Sequence, residues 1–419
     1  MMRRLALVAV AFTAVACSSN DPSSTPDSTP PFSTTIPAPD SDGVLRFGLL
    51  IPQSGEGAVL GDPLVAVAEA AVRVINEAGG VLGRPVELVI ADEGADSTTA
   101  VASVDALVSD EGIDALVGPL SSNVALEVLP RLIESGVAVC SPAATAVALA
   151  SFPDDELFVR TTASDGLASQ AIAQLVAQTG VTNVVVAHPD DPFGRDLSDA
   201  VIRALSLQGI TIDSRVPFNP SDADYTERVA AVAESQPKVV ALVGDGESGG
   251  RFLRATLDAL ADVTVVVNDA LANVDLSDRP DLVNDPTRSV VGVAIDSSSR
   301  RDDLIPYLGS DLVDAPPLAA ALIDCFNLLA LAADFSRSDI GAEFMPQVIA
   351  ASRGGSACRT FAECAEVIRA GLNIDYNGPT GTLSLDANGD PSIATFVTFG
   401  FDTDGRSSYR GDLGVFSAP

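Results

Sequence analysis

Basic and metal-binding side chains are scarce in this sequence. Its 419 residues include one histidine, His188, one lysine, Lys238, and five cysteines. Lysine and arginine number 24 against 57 aspartates and glutamates, a formal net charge of −33. This balance excludes nucleic acid as a partner, because phosphates are met by basic patches. It also excludes docking on an anionic lipid surface. The charges are spread along the chain, which reads as a solvated acidic surface. With a single histidine, any Ser-His or Cys-His machinery must use His188. His188 ends an apolar run, precedes Pro189, and has no G-x-S-x-G elbow to serve. It reads as a strand-end residue near a cleft rim. Four cysteines besides Cys17, with one histidine, lack zinc-ligand spacing, so neither a metal nor another cofactor is expected.

Long apolar runs are missing too. Leu5 to Val15 is too short to span a bilayer, and Leu318 to Ala333 is interrupted by Asp324 and Asn327 and reads as a buried helix. With Arg3 and Arg4 before it, the first run reads as a signal peptide over residues 1–17. The sequence Ala14-Val15-Ala16-Cys17 resembles the bacterial lipoprotein cleavage box, which implies lipidation at Cys17. Residues 18–43 are nearly all Ser, Thr, Pro and Asp and read as a disordered, extended tether. A lipid, a tether and a globular body from Val44 describe an exported protein held at the outer face of the cell membrane. Cys358 and Cys364 flank a short polar loop and are a disulfide candidate in such an oxidising compartment. Cys140 ends a strand-like run and Cys325 sits in an apolar helix; both read as small buried hydrophobes.

In the body, short apolar strands alternate with amphipathic helices. This predicts an α/β fold of two doubly wound parallel-sheet lobes with a ligand cleft between them. The expected division is 44–162 plus 296–392 for the first lobe and 163–295 plus 393–419 for the second. Gly381 to Leu385 and Ala394 to Phe401 read as extended strands. Two small-residue turns follow strands of the first lobe: Gly118-Pro119-Leu120-Ser121-Ser122 and Ser141-Pro142-Ala143-Ala144-Thr145. Such turns leave backbone N–H groups uncovered at helix starts, a setting that binds a carboxylate. Both would lie at the carboxyl edge of one sheet, gripping one small ligand.

Further stretches carry a family likeness. They are Phe47 to Gly55, "INEAGGVLGRPVELVIADEGADS" from Ile75 to Ser97, the two turns, "DDPFGRDL" from Asp190 to Leu197, and "YNGPTGTLSLDANGDP" from Tyr376 to Pro391. In this order and spacing the chain resembles the Leu/Ile/Val-binding type of extracellular solute-binding protein, which serves ABC importers. The resemblance implies a type I periplasmic-binding fold, three crossover segments between the lobes, hinge closure and no catalysis. It implies an amino-acid ligand, branched-chain or otherwise aliphatic, an ABC permease as partner and a monomeric protein. It also implies that Ser122 donates its hydroxyl to the ligand carboxylate and Thr145 its N–H and hydroxyl. The Ala143 carbonyl would accept from the ammonium, with Ala144, Leu120, Leu60 and Phe193 lining the site. Where relatives often carry Tyr, this chain has Leu60 and Phe193. The acid that meets the ammonium in relatives aligns near Arg288; Asp245 is assigned that role, with Asp269 as the alternative.

Two other readings share some of these residues. Gly244-Asp245-Gly246-Glu247-Ser248-Gly249 matches G-x-G-x-x-G, with Asp269 about 20 residues on, as in a nucleotide-binding enzyme. The same fold also suits a ligand-sensing receptor that signals to a membrane partner.

Overall fold

The computed structural model describes residues 41–244, 246–283, 287–296, 302–310 and 315–418. The signal peptide, Cys17, nearly all of the tether, and Asp245 lie outside them.

The first sheet holds β1 (Arg46–Ile51), β2 (Glu87–Asp92), β3 (Ala115–Val117), β4 (Ala138–Ser141) and β5 (Phe158–Arg160). All pair in parallel, in the order β2-β1-β3-β4-β5. Its crossover helices are α1 (Gly61–Glu77), α2 (Ser97–Ser109) and α3 (Ser122–Glu134). Asp96 caps α2 by accepting from the Thr99 N–H at 3.0 Å, and Ser121 caps α3 through the Val124 N–H. Leu64, Val67 and Ala71 of α1 enter one core; Val104 of α2 and Val128 of α3 enter the core on the opposite face.

The second sheet is built in the same way from β6 (Asn183–Pro189), β7 (Thr211–Phe218), β8 (Val239–Leu242), β9 (Val263–Val267) and β10 (Arg288–Ile295). Its helices are α4 (Asp165–Gln178), α5 (Pro192–Leu207), α6 (Thr226–Ala233), α7 (Ser248–Ala259) and the single turn α8 (Pro280–Val283). The parallel order β7-β6-β8-β9-β10 repeats that of the first sheet. Each sheet therefore has one point where strand order reverses, between β1 and β3 and between β6 and β8. Open α/β sheets bind ligands at that point, beyond the carboxyl ends of the strands.

The chain then returns to the first half as α9 (Ile305–Leu308), α10 (Ala319–Ser336), α11 (Gly341–Ala351), β11 (Ser356–Cys358), α12 (Phe361–Arg369) and β12 (Ile374–Tyr376). It ends in the second sheet as β13 (Ile393–Phe401) and β14 (Ser407–Ser417), both antiparallel to their neighbours. It thus passes between the halves three times: after β5, after β10 and before β13. Helix α10 is apolar enough to cross a membrane but is packed in the first core. Its Asp324 accepts from the Tyr376 hydroxyl at 2.6 Å and from the Thr380 N–H at 2.9 Å, which fixes the loop after β12.

Two expectations change here. Cys140 and Cys325 are not separate buried thiols; a disulfide joins them, tying β4 to α10. The sequence hides this pair because 185 residues separate its members. A second disulfide joins Cys358 to Cys364. Gly381 to Leu385 forms no strand: only an isolated bridge, Leu385 to Pro391, turns the chain back toward β13.

Candidate functional site

The two small-residue turns follow β3 and β4 and are stitched to each other. The Ser141 hydroxyl donates to the Pro119 carbonyl at 2.7 Å and accepts from the N–H groups of Ala143 and Ala144. Ser122 Oγ accepts from the N–H groups of Thr145 and Ala146, both at 3.1 Å. The buried Glu93 carboxylate accepts from the Leu120 and Ser121 N–H groups at 2.9 and 2.8 Å. These N–H groups are therefore covered by protein oxygens, and the expectation of a bare amide grip is corrected. The Thr145 N–H in particular is engaged by Ser122. The first turn of α3 still presents the Ser122 and Asn123 N–H groups, which have no partner among the described residues. With both lone pairs of Ser122 Oγ accepting, its O–H remains to be donated. Gly118 allows the tight approach behind this turn: its φ is +112°, and a Cβ there would fall 2.1 Å from the Leu50 carbonyl.

Behind the second turn lies a residue the sequence reading missed. Arg160 is fully buried at the end of β5. Its Nη1 donates to the Ala144 and Ala146 carbonyls, both at 3.0 Å. Its Nε and Nη2 make a two-pronged pair with Asp390 at 2.6 and 2.7 Å. Ala144 is itself fully buried, with both backbone groups engaged by Ser141 and Arg160. It shapes the loop and offers no free polar atom.

Two acids adjoin this loop. The Asp165 N–H, at the start of α4, donates to the Thr145 carbonyl at 2.8 Å. The Asp165 side chain is buried, and its Oδ2 has no hydrogen-bond partner. Burial, and then the charge of Asp269, push its carboxyl up to about 7, against the pull of Arg160 and the Thr145 hydroxyl. Asp269 follows β9 and is partly buried, which raises its carboxyl as well. Arg160, the basic residue that acts on Asp165, is already committed to Asp390. Among the described residues neither Asp165 nor Asp269 forms an ion pair, and two neighbouring acids suit a positively charged group such as an ammonium. The sequence signal for Asp165 was its place at a helix start directly after the crossing from β5.

The remaining calls fall as follows. Leu60 and Leu120 flank the β1/β3 reversal and are partly buried against the first core. Phe193 sits in the first turn of α5, capped by Asp191 through the Gly194 N–H at 2.7 Å, and packs on the second-sheet core that holds Val186, Leu197 and Val201. Helix α5 lies against α3 and the turn Val147–Ser151 of the first half. Asp245 lies outside the described residues. Arg288 begins β10, at the opposite edge, and donates to the Leu260 carbonyl at 2.9 Å. Asp269, the alternative acid, follows β9. At the G-x-G-x-x-G turn, Asn268 occupies both the N–H and the carbonyl of Gly244, so the turn is bound within the protein. His188 is buried, with its Nδ1 at 2.7 Å from the Pro189 carbonyl and its Nε2 accepting from Arg215 Nε at 2.8 Å.

A cavity of about 730 Å³ opens beside Asp269, lined from both halves by residues that include Pro142 and Ala294. Two like sheets thus present their carboxyl ends to one cleft. A family model described as a periplasmic binding protein matches residues 44–275. The chain belongs to that family.

Membership accounts for the fold, and relatives agree with it. The Leu/Ile/Val-binding protein BraC3 of Rhizobium johnstonii is 30% identical over 239 residues, 57% of this chain and 65% of that protein. The alignment thus spans just under two thirds of that relative. A chemotactic signal transduction substrate-binding protein, BasB of Halobacterium salinarum, is 26% identical over 83% of this chain and 84% of its own length. Among solved structures, the leucine-binding protein LivK of Thermotoga maritima superposes with a TM-score of 0.72 at 17% identity, covering 88% of this chain and 99% of that one. That likeness shows the type I periplasmic-binding fold.

Proposed function

We propose that this protein captures an amino acid by hinge closure and delivers it to an ABC permease, without catalysing a reaction. The observation that carries this reading is the pair Asp165 and Asp269, placed beside the Ser122/Thr145 turns and without an ion-pair partner among the described residues. The ligand carboxylate takes the Ser122 hydroxyl and the free N–H groups of α3. The ligand ammonium lies between the two acids and accounts for the unpartnered Asp165 Oδ2. Because the acids and the Ser122 turn come from different elements around one cleft, only the closed form satisfies both ends of the ligand. The two disulfides fit an oxidising compartment outside the cytoplasm. We assign the protein there as a monomer, anchored through a lipid on Cys17.

Isothermal titration against the common amino acids tests this. Ser122→Ala and Asp269→Asn should each weaken binding roughly tenfold or more, since hydrogen bonds to charged groups contribute about 1.5–3 kcal/mol. Unchanged affinity in both variants would overturn the site. The likeness to BasB supports a second reading, a receptor that passes ligand occupancy to a membrane signalling partner. Co-purification of the bound form with a permease or with a transducer separates the two.

A further inference from the structure

We propose that Glu93 is a specificity-determining residue: it limits the anionic end of the ligand to a single carboxylate and rejects a dianion such as a phosphonate. This rests on the amino-acid reading above and adds a selectivity to it.

Four consecutive N–H groups, from Leu120 to Asn123, lead into α3. A bare run of that kind at a helix start would hold a large oxyanion. The chain closes half of it with an anion of its own. Glu93 follows β2, and its side chain reaches past β1 to the turn after β3. One carboxylate oxygen accepts from the Leu120 N–H at 2.9 Å and the other from the Ser121 N–H at 2.8 Å. Its neighbour Asp92 does the same for the turn after β1, accepting from the Gln53 and Ser54 N–H groups at 2.7 and 3.2 Å. The Ser122 and Asn123 N–H groups and the Ser122 hydroxyl are left, which is a donor set for one carboxylate.

Charge completes the selection. Glu93 is 1% exposed, and among the described residues the charge that acts on it is another acid, Asp92. Burial, helped by that charge, pushes its carboxyl up to about 7 against the pull of its two N–H partners, so above that pH it is an anion. One residue of chain spans at most about 3.6 Å and a hydrogen bond about 2.9 Å. An anion on the Ser122 N–H therefore lies within roughly 9 Å of the Glu93 carboxylate, inside the distance over which salt screens charge. A monoanion meets this repulsion once and gains three donors. A dianion meets it twice for the same donors.

The test is titration calorimetry at pH 8. The tightest binder among the common amino acids is compared with its 1-aminoalkylphosphonate and its 1-aminoalkyl-H-phosphinate. Both analogues replace the carboxylate by a tetrahedral group; the phosphonate carries nearly two negative charges and the phosphinate one. Wild type should bind the phosphinate roughly tenfold or more tightly than the phosphonate, the effect of one added charge at this range. Glu93→Gln keeps the size and one acceptor oxygen but removes the charge, and the gap between the analogues should shrink roughly tenfold. A merely structural role would weaken every ligand alike and leave the gap as it was. Equal binding of the two analogues by wild type, an unchanged gap in Glu93→Gln, or a variant that still excludes the phosphonate would overturn the proposal while leaving the amino-acid reading intact. If the variant fails to fold, the wild-type comparison decides. Binding of none of the common amino acids would remove both.

Discussion

Replacing Asp390 by Asn isolates the contribution of the buried ion pair behind the ligand loop. Arg160 is 0% exposed, and Asp390 supplies both oxygens of its counter-charge. Asn keeps the size but removes the charge, leaving a guanidinium uncompensated in the interior. Breaking a buried pair from one side costs about 3–5 kcal/mol. The loop should feel it as well, because the same guanidinium holds the Ala144 and Ala146 carbonyls. Arg160→Met adds a second loss: those two carbonyls lose their donor, at about 1–3 kcal/mol for each buried group left unmet. The order of stability should be wild type, then Asp390→Asn, then Arg160→Met. Urea unfolding followed by far-UV circular dichroism suits a chain without tryptophan. Hydrogen exchange at the Ala144 and Ala146 amides should quicken in both variants. If Asp390→Asn stays within about 1 kcal/mol of wild type, the pair is not the strut described here.

Other consequences can be measured alongside. Asp165 is raised to about 7 in the free protein, so below that pH an ammonium must displace its proton. Affinity should fall as pH drops from 8 to 5, by at most roughly tenfold per pH unit, and Asp165→Asn should flatten the profile. In the unliganded protein the same raised carboxyl contributes stability that is full below about pH 4 and fades as pH rises toward 7; urea midpoints along that range check the sign. His188 shifts the other way: burial, aided by Arg215, lowers it, so its contribution is full above pH 6.5 and lost as pH falls. His188→Gln should remove that acid-side loss in unfolding titrations. Replacing Cys140 and Cys325 together by Ala should cost about 5 kcal/mol by chain entropy, against about 2 kcal/mol for Cys358 and Cys364. The difference follows from separations of 185 and 6 residues, and equal shifts in urea midpoint would refute it.

The alternation of strands and helices was readable because parallel strands buried on both faces are short apolar runs, as in Val184–Ala187 and Val239–Leu242. Strand β14 was not, since its inner and outer residues alternate with Ser, Arg, Gly and Asp at the edge of the sheet. Strand β5 escaped for the opposite reason: its three residues end in an arginine, and only the pairing with Asp390 makes that arginine an interior residue. In the site, the Ser122 and Thr145 turns were legible from small residues after strands. Their internal stitching was not, because the partners come from other strands: Ser141 from β4, and Glu93 from just past β2, two strands away. Asp165 and Asp269 each look like an ordinary acid at a helix or turn start. Only the packing of β4, α4 and β9 around one cleft brings the two together.

The Cys140–Cys325 link has a topological consequence. All of α4 through β10, with every strand of the second half except the last two, lies between the two cysteines in sequence. The second half is therefore a loop threaded on a covalent ring closed inside the first. A protease that cuts a surface turn of the second half opens the ring without freeing either fragment. Such a nicked molecule keeps its mass on a non-reducing gel and falls into two pieces only when the disulfide is reduced.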